Sequence, residues 1–463
     1  MKKTKILCTF GPAADSDEII QSMVDAGMNG VRINSSHGDF DQYARFIHRI
    51  RRFADIPIVL DTQGPKIRLR MRQPLCTAEN DVIRIGFSPD HEFYLDANIY
   101  DHLHVGDRAL IDDGAFDAVI LEKSQNVILL QFKNEGCLVS GRAVNFPGKA
   151  LPLPPLTEKD IRSIQFARDQ NIDYIALSFT RSKEDVLACK SRIDGSPVKI
   201  IAKIENQQGV DNFDEILEHV DGVMIARGDM GVELPPEEVP MVQKKLIRAC
   251  CSTSHLVITA TQMLQSMIDH PRPTRAEMSD VANAILDGSD VVMLSGETAT
   301  GRYPVEAVRV MNRIAAAAEP FIDLQQPAND QSVETALCDS VRNLCVAVHI
   351  DKIVTITRRG RTAKMISRLR LQPPILALTA REEAFRELHL YFGVVPVIYE
   401  SLPPSIQTAA AGMHLYQQGY IQPEDLILFV SGEYNPSVSS TNTLQILSMK
   451  DMIRYSEKNI ISQ

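Results

Sequence analysis

The stretch 198–233 holds a lysine, two carboxylates and a glycine-rich turn where two apolar runs end. Lys203 and Glu205 are two positions apart in the first run, so in a strand their side chains point the same way. Asp229 follows the second run, in the turn 227–231. Two carboxylates at neighbouring strand ends can share a hard cation such as Mg²⁺, and a glycine-rich turn can offer N–H groups to an anion. We therefore predict a metal-assisted site with Lys203 facing the reacting centre, although ordinary ion pairs explain any single one of these residues equally well.

Eight short apolar segments, most of them separated by helical patterns, are the elements that position these residues. They are 5–10, 30–34, 56–62, 173–179, 198–205, 221–226, 256–261 and 290–294. Strand and helix alternating eight times predicts a (β/α)₈ barrel, a TIM barrel whose carboxyl-terminal rim carries the chemistry. The polar residues at the segment ends would then face one mouth: Arg32, Asn34, Asp61, Thr62, Lys203, Glu205, Asp229, Thr261, Ser295 and Glu297.

The regular spacing breaks between the third and fourth segments. Residues 69–142 carry β-type runs with turn signals at 112–114 and 134–136, which predicts a small β-barrel domain inserted above the mouth. That position suits a lid that closes over substrate, and a purely decorative insertion is the alternative. The catalytic barrel would comprise 1–68 and 143–322. From 333 to 463 the α/β alternation resumes, which predicts a separate C-terminal domain with an open, helix-covered sheet.

The composition argues against several classes of protein. The chain has 463 residues, of which 44% are hydrophobic and 23% charged, as expected for a globular protein of several domains. A net charge of −10 argues against a nucleic-acid surface as the main function. Eight cysteines without a CxxC pair indicate neither zinc nor a disulfide framework, and no apolar run is long enough to cross a membrane. We therefore expect a reduced, cytoplasmic setting without nucleic-acid or membrane partners.

Long motifs along essentially the whole chain resemble those of the pyruvate kinase family. They are VRINSSHG (31–38), LDTQGPKIR (60–68), IAKIENQQG (201–209), MIARGDMGVEL (224–234), TATQMLQSM (259–267) and PTRAEMSDVANAILDGSDVVMLSGETA (273–299). Several long motifs in the same order are a specific signal, whereas KIEN alone would not be. The resemblance implies transfer of a phosphoryl group from phosphoenolpyruvate to ADP, giving pyruvate and ATP through an enolate, the last step of glycolysis.

The resemblance also implies roles for residues at the rim, namely Lys203, Arg32, Glu205, Asp229, Gly228 and Thr261. The lysine would neutralise the moving phosphoryl group and the enolate oxygen, and the arginine would hold the phosphate. The two carboxylates would bind Mg²⁺ or Mn²⁺. The glycine and aspartate backbone and the threonine would receive the substrate carboxylate. The threonine would also lie on the side from which the enolate is protonated, with a water chain as the alternative proton source.

Four further positions match family contacts to ADP or ATP: Asn34, His37, Arg68 and Arg142. Arg142 stands where a lysine is common. Solvated arginines are the alternative for the last two positions, and plain loop packing is the alternative for the first two.

One departure from the family pattern concerns K⁺. Many members hold this ion at positions matching Asn34, Ser36, Asp61 and Thr62, and carry a glutamate where this chain has Lys66. An ammonium in place of that carboxylate would repel K⁺ and take over part of its charge. We hypothesise that the enzyme needs Mg²⁺ or Mn²⁺ but not K⁺. The alternative is that Lys66 points to solvent and K⁺ still binds.

The C-terminal domain, where the family binds effectors, carries an arginine-rich loop after its first strand. The loop comprises Thr357, Arg358, Arg359, Gly360, Arg361 and Thr362. A glycine turn that opens a helix between arginines could bind a phosphate. We hypothesise activation by a phosphorylated metabolite or nucleotide, with an exposed basic loop or a subunit contact as the alternative. The resemblance further implies a homotetramer.

Two other functions remain open on the sequence. A lyase acting on pyruvate or oxaloacetate would also hold an enolate on Mg²⁺ at a barrel mouth, but it has no evident need for the inserted domain. A catalytically silent regulator could lose Lys203, Thr261 or a metal carboxylate without penalty, and none of them is missing here.

Overall fold

The computed structural model describes residues 2–323, 332–399, 407–432 and 441–454. The stretch 455–463 of the predicted C-terminal domain lies outside these ranges. The chain begins with strands β1 (Lys5–Phe10), β2 (Gly30–Asn34) and β3 (Ile58–Asp61), which alternate with helices α1 (Asp17–Asp25) and α2 (Phe40–Phe53).

An inserted unit made of strands follows. It contains β4 (Arg68–Met71), β5 (Leu75–Thr77), β6 (Val82–Ile85), β7 (Phe93–Leu95), β8 (Arg108–Ile111), β9 (Phe116–Ser124), β10 (Val127–Phe132), β11 (Gly136–Leu138) and β12 (Arg142–Asn145).

The alternation then resumes. The strands are β13 (Tyr174–Leu177), β14 (Lys199–Ile204), β15 (Gly222–Ala226), β16 (Leu256–Ala260) and β17 (Val291–Leu294). The helices are α3 (Glu158–Asp169), α4 (Lys183–Ile193), α5 (Gln207–Asp211), α6 (Phe213–Leu217), α7 (Arg227–Glu233), α8 (Val239–Thr253), α9 (Arg275–Leu286), α10 (Gly296–Ala299) and α11 (Pro304–Ala318). Short 3₁₀ turns lie at Pro12–Ala14, Tyr100–His102, Gln265–Ile268 and Glu319–Phe321.

Eight parallel strands close into a barrel in the order β1-β17-β16-β15-β14-β13-β3-β2, which confirms the predicted fold class. The strands are short and buried on both faces because helices cover their outer side and the other strands fill the inner side. Side-chain hydrogen bonds cap the first turns of several helices and so determine where those helices begin. Thr157 and Thr274, for example, form capping boxes with the residues three positions later.

The inserted unit, called the lid below, is mainly a seven-stranded sheet in the order β6-β10-β9-β8-β12-β4-β7, with β5 and β11 forming a separate pair. Its own core includes Leu69, Ile111, Ile128 and Phe132. Several of its strands, such as β5, β7 and β11, have only three residues, and sequence patterning did not identify them.

A disulfide joins Cys76 and Cys137 in the lid, so the expectation that the cysteines form no disulfide was wrong. The two residues lie directly opposite each other in the antiparallel pair β5–β11. They are 61 positions apart in the chain. Spacing between nearby cysteines cannot predict such a pair, because only the register of two distant strands brings the side chains together. The other six cysteines are free thiols.

The C-terminal unit consists of helices α12 (Val333–Ala347), α13 (Arg361–Ser367), α14 (Glu382–Leu388) and α15 (Gln407–Gln417), with strands β18 (Lys352–Ile356), β19 (Ile375–Thr379), β20 (Val394–Ile398), β21 (Leu426–Ser431) and β22 (Thr443–Ser448). The strands form an open sheet in the order β20-β19-β18-β21-β22, as predicted. This unit covers the base of the barrel, the end opposite the mouth.

One hydrophobic cluster runs from the barrel interior, with Leu7, Ile201 and Met224, into the C-terminal unit, with Ile366 and Leu388. Backbone pairing adds to this contact, since Gly393 N donates to Lys3 O at 3.0 Å. In the part of the chain that the structure describes, no helix is long and apolar enough to span a membrane.

Candidate active site

The side chain of Lys203 lies at the centre of the mouth, near the end of β14. Its Nζ is 3.0 Å from Asp61 Oδ1, 3.0 Å from Glu205 Oε1 and 2.7 Å from Ser178 Oγ. These partners come from the ends of three adjacent strands, β3, β14 and β13. The strand-end rule therefore placed Lys203, Glu205 and Asp61 together correctly.

The charges of this cluster depend on one another. Burial disfavours the carboxylate form of Asp61, but Arg32 and Lys203 outweigh this cost and hold its pKa below the ordinary value. Burial also disfavours the ammonium form of Lys203, yet Asp61 and Glu205 raise its pKa above the ordinary value. Lys203 is therefore a fixed positive charge in the barrel mouth at any physiological pH.

Arg32, on β2, is anchored beside this lysine. Its Nε donates to Asp61 Oδ2 at 2.6 Å and its Nη1 to Thr9 Oγ1 at 3.1 Å. The side chain is mostly buried, with 11% of its surface exposed. Asp61 thus holds two cations at once, one on each oxygen, and fixes the distance between them.

Glu205 and Asp229 fit a divalent cation by their chemistry. Glu205 Oε2 accepts a hydrogen bond from Phe179 N at 2.7 Å, whereas the buried Oε1 accepts none from the described residues, although Lys203 Nζ is close. Burial raises the pKa of Glu205, and the nearby charge of Asp229 raises it further, against the attraction of Lys203. Two carboxylates that repel each other around an unbonded oxygen are a suitable donor pair for Mg²⁺ or Mn²⁺. The described residues contain no cluster of three or more such side chains, so substrate oxygens or water would complete the shell.

Lys66 points into the site. Its Nζ is 3.1 Å from Asp229 Oδ1 and lies 4.9 Å from the centre of the Phe179 ring. The alternative, in which Lys66 points to solvent, does not match this position. The ammonium adds a third positive charge at the mouth, besides those of Lys203 and Arg32.

Asp229 and Gly228 lie in the first turn of α7, so the predicted isolated turn at 227–231 is in fact the start of a helix. The difference arises because the apolar strand β15 leads directly into α7 without a loop. Gly228 N donates to Thr261 Oγ1 at 2.8 Å, which joins the end of β15 to the end of β16.

Thr261 has a backbone φ of 67°, and the next residue, Gln262, has a φ of 54°. A β-branched residue rarely adopts this left-handed conformation, which costs about 1–3 kcal/mol. The buried guanidinium of Arg227 stabilises it, because Nη2 donates to Thr261 O at 2.8 Å and Nη1 contacts Asp280 Oδ1 at 2.7 Å. The result directs the Thr261 hydroxyl toward α7.

Sequence reasoning missed Ser178, Phe179 and Arg227. Ser178 follows β13, and its Oγ donates to Thr62 O at 2.6 Å besides contacting Lys203. The same strand-end rule that selected the other rim residues could have found it. Nothing in the local sequence indicates that Arg227 holds the backbone of Thr261, because that contact depends on the packing of two distant loops.

Ser295 and Glu297 lie after β17, as the strand-end rule predicted, but the carboxylate bonds only to backbone. Glu297 accepts from Leu264 N at 2.9 Å and from Ser295 N at 2.7 Å. These contacts bring the loops after β16 and β17 together. They do not include the Lys203 cluster.

The candidate nucleotide residues fall into two groups. Arg68 and Arg142 belong to the lid, where Arg68 Nη1 donates to Gly141 O at 2.7 Å and Arg142 Nη1 lies 3.0 Å from Asp112 Oδ1. Asn34 is the last residue of β2 and His37 lies on the loop that follows, where Asn34 Oδ1 accepts from Ser36 N at 3.1 Å. The structure brings neither group into contact with the Lys203 cluster.

The positions matching a K⁺ site are engaged within the protein. Asp61 is held by Arg32 and Lys203, and Thr62 Oγ1 accepts from Ser178 N at 3.0 Å while it lies 3.2 Å from Ala176 O. Ser36 O accepts from Lys159 Nζ at 3.1 Å.

The arginine-rich loop lies far from the mouth, between β18 and α13. Gly360 adopts a φ of 79°, which favours glycine, and α13 begins at the next residue. Arg358 and Arg359 are exposed, and Arg361 Nη2 is 2.5 Å from Glu334 Oε2. Thr362 Oγ1 is 2.7 Å from Thr441 Oγ1.

Comparisons with known proteins agree with the geometry. Residues 1–308 match the family model described as pyruvate kinase, barrel domain, and residues 335–447 match the model described as pyruvate kinase, alpha/beta domain. The chain is 40% identical to a pyruvate kinase of Bacillus licheniformis, over 98% of this chain and 81% of the relative. It is equally similar, with the same coverage, to a pyruvate kinase of Staphylococcus aureus strain MRSA252.

Proposed function

The chain belongs to the pyruvate kinase family of phosphotransferases, and we propose that it transfers the phosphoryl group of phosphoenolpyruvate to ADP with Mg²⁺ or Mn²⁺ and without K⁺. The observation that carries this proposal is the buried ammonium of Lys203, 3.0 Å from both Asp61 Oδ1 and Glu205 Oε1. A charge held this way in a buried, preorganised site attracts a substrate oxygen more strongly than the same charge in water would.

Phosphoryl transfer requires positioning and neutralisation of charge more than covalent chemistry from the protein. Lys203 would contact the moving phosphoryl group and then the enolate oxygen. Arg32 would hold the phosphate with the guanidinium N–H groups that Asp61 and Thr9 leave free. A divalent cation bound by Glu205 and Asp229 would supply further positive charge at the same oxygens. In the protein without the cation, burial disfavours the ammonium form of Lys203, but Asp61 and Glu205 outweigh this effect and raise its pKa.

We assign the substrate carboxylate to the start of α7. The N–H groups of Gly228 and Asp229 and the hydroxyl of Thr261 converge there. The Gly228 N–H now donates to Thr261, so the carboxylate would take this donor over. A Cβ at position 228 would lie 3.3 Å from Thr261 Oγ1, a tight contact, so glycine keeps the space beside this hydroxyl open. Thr261 would also lie beside the enolate carbon that takes up a proton.

For ADP and ATP we assign the opening between barrel and lid, with Asn34 and His37 on one side and Arg68 and Arg142 on the other. Arg142 is half exposed and paired with Asp112. A surface ion pair of this kind contributes little, so a phosphate could replace Asp112 as partner.

The K⁺ proposal depends on Lys66 and can be tested by replacing this residue. Its ammonium supplies the charge that K⁺ supplies in many relatives, and it contacts Asp229 directly. We expect full pyruvate formation from phosphoenolpyruvate, ADP and Mg²⁺ in potassium-free buffer, with no gain from KCl over choline chloride. Lys66→Glu should lose at least about tenfold in rate without K⁺, as loss of one charged contact predicts, and regain part of it with K⁺.

Lys66→Gln is the matched control, because it removes the charge without creating a cation site. It should be slow with and without K⁺. If the wild-type enzyme were active only with KCl, the assignment as a kinase would stand but the role given to Lys66 would be wrong. Pyruvate formation from oxaloacetate, independent of ADP, would instead indicate a lyase.

The remaining expectations are also proposals. The loop 357–362 would bind a phosphorylated metabolite or nucleotide through Arg358, Arg359 and Arg361, and activate the enzyme. Arg361→Ala should abolish the response of the substrate-saturation curve to such compounds, with Arg313→Ala, an exposed barrel arginine, as control. An identical response in wild type and Arg361→Ala would contradict the assignment.

We also propose a homotetramer in the cytoplasm. Sedimentation of the purified chain tests the assembly. The cysteine pair of the lid tests the location, since a reducing cytoplasm keeps most cysteines as thiols. Alkylation of living cells before extraction should modify Cys76 and Cys137 if a reducing cytoplasm opens the disulfide that the structure shows, and should leave the pair unmodified if the protein lies in an oxidising compartment.

A further inference from the structure

The lid is connected to the barrel by two chain passages that pair with each other. The outgoing passage runs through Lys66 and Ile67 into β4, and the returning passage is β12. Val144 N donates to Ile67 O at 2.8 Å, and β12 continues the antiparallel pairing with β4. The two passages therefore form one paired connection between barrel and lid, called the hinge below.

Each passage makes one side-chain contact with the same barrel helix, α7. Lys66 Nζ lies 3.1 Å from Asp229 Oδ1 on the outgoing side. On the returning side, Asn145 Nδ2 donates to Glu233 Oε1 at 2.6 Å. Asp229 and Glu233 are four positions apart, so they lie on the same face of the helix, one turn from each other.

The two contacts differ in whether a ligand would compete for the carboxylate. Asp229 is a candidate metal ligand, so a bound cation would compete with Lys66 for it. Glu233 has no such second task among the described contacts, and it lies partly buried beside a small cleft of about 70 Å³ that Asn145, Lys66 and Phe179 also line. A partly buried carboxylate that accepts a hydrogen bond is costly to separate from its donor.

We propose that Asn145 is a positioning residue, whose hydrogen bond to Glu233 forms the fixed pivot between the lid hinge and the helix that carries Gly228 and Asp229. The pivot keeps α7 in place relative to the lid when Asp229 leaves Lys66 for the cation. The inference rests on the proposed function for its effect on catalysis, but the pivot itself is a property of the protein alone.

An exchange of the two side chains tests the pivot. Asn145→Asp places two carboxylates against each other and breaks the contact. The double variant Asn145→Asp with Glu233→Gln restores a hydrogen bond between an amide and a carboxylate with donor and acceptor reversed. Asn145→Ala, which removes the donor without adding charge, serves if the aspartate variant does not fold. Asp117→Asn, which weakens the Arg108 pair on the far side of the lid, is the matched control.

The first measurement is hydrogen exchange of the full-length protein without ligands, followed by mass spectrometry. Asn145→Asp should accelerate exchange about tenfold in peptides covering both 142–147 and 227–233, the effect of losing one hydrogen bond to a charged group. The double variant should return to within about threefold of wild type. Acceleration confined to the lid peptides, or no recovery in the double variant, would overturn the proposal.

The second measurement is steady-state kinetics at saturating Mg²⁺. A displaced α7 should raise KM for phosphoenolpyruvate more than it lowers kcat, because Gly228 and Asp229 bind substrate and cation in the proposed function. The exchanged double variant should recover kcat/KM, whereas Asp117→Asn should match wild type. If wild type itself formed no pyruvate, the proposed function would fail while hydrogen exchange still tested the pivot.

Discussion

At the base of the barrel Asp290 has hydrogen-bond partners for both carboxylate oxygens, whereas at the mouth Glu205 Oε1 accepts no hydrogen bond from the described residues and has only the nearby charge of Lys203. Asp290 accepts from Arg370 Nη1 at 2.9 Å and from the backbone of Phe392 and Val257, both at 3.1 Å. Both carboxylates are buried and both face a cation. Only the second has an oxygen left for a ligand.

The guanidinium of Arg370, like the carboxylate of Asp290, has several hydrogen-bond partners within the protein. It lies between barrel and C-terminal unit, 2% exposed, and also donates to Gly288 O at 2.6 Å and to Ser367 O at 2.9 Å. At the mouth, the side chains of Lys66 and Asp229 retain 27% and 29% exposure. At the base, buried charged groups that have all their polar partners hold two domains together. At the mouth, charged groups that lack some partners remain available to a ligand.

The largest expected effect comes from the central cation of the mouth. Lys203→Met should lower kcat about 10⁴-fold, in the range measured for cations that stabilise a transferring phosphoryl group. Lys199→Met is the control, because Lys199 lies on the same strand but contacts Glu387 at the base. Turnover of phosphoenolpyruvate by Lys203→Met at the wild-type rate would contradict the central assignment.

The next effect concerns the base and should appear in stability. Arg370→Met leaves Asp290 as a buried carboxylate without its cation, which should lower the free energy of unfolding by about 3–5 kcal/mol. Urea denaturation measures this loss. The kcat of the molecules that remain folded should change little, since Arg370 lies at the opposite end of the barrel. A large loss of kcat without loss of stability would contradict the assignment of stability to the base and catalysis to the mouth.

A smaller effect should depend on pH. Burial disfavours the carboxylate form of Glu387, but Lys364 and Lys199 outweigh this and hold its pKa below the ordinary value of 4.5. A lowered pKa contributes stability that is present above pH 4.5 and is lost as pH falls through the lower folded-state value. Glu387→Gln should therefore cost about 2 kcal/mol near pH 7, and the difference from wild type should shrink below pH 4.5. Urea midpoints from pH 3 to 7 test this, and a difference that grows toward low pH would contradict it.

Sequence reasoning predicted which residues lie at the mouth better than it predicted the contacts among them. Strand alternation and the rule that chemistry lies at the carboxyl ends of barrel strands placed Lys203, Glu205 and Asp229 correctly. The same reasoning did not predict that Asp61 holds Arg32 and Lys203 together, because this depends on the order and register of three strands. The base was not predicted, since Arg370 and Asp290 come from domains whose docking leaves no periodic pattern.

The disulfide of the lid has a consequence for the continuity of the chain. Cys76 and Cys137 close a covalent ring that contains most of the lid and leaves both hinge passages outside it. A protease that cut one exposed loop of this ring would produce two peptides still joined as one molecule. Because the barrel strands of the two fragments also pair with each other, both reduction and unfolding would be needed to separate the half that carries Arg32 and Asp61 from the half that carries Lys203.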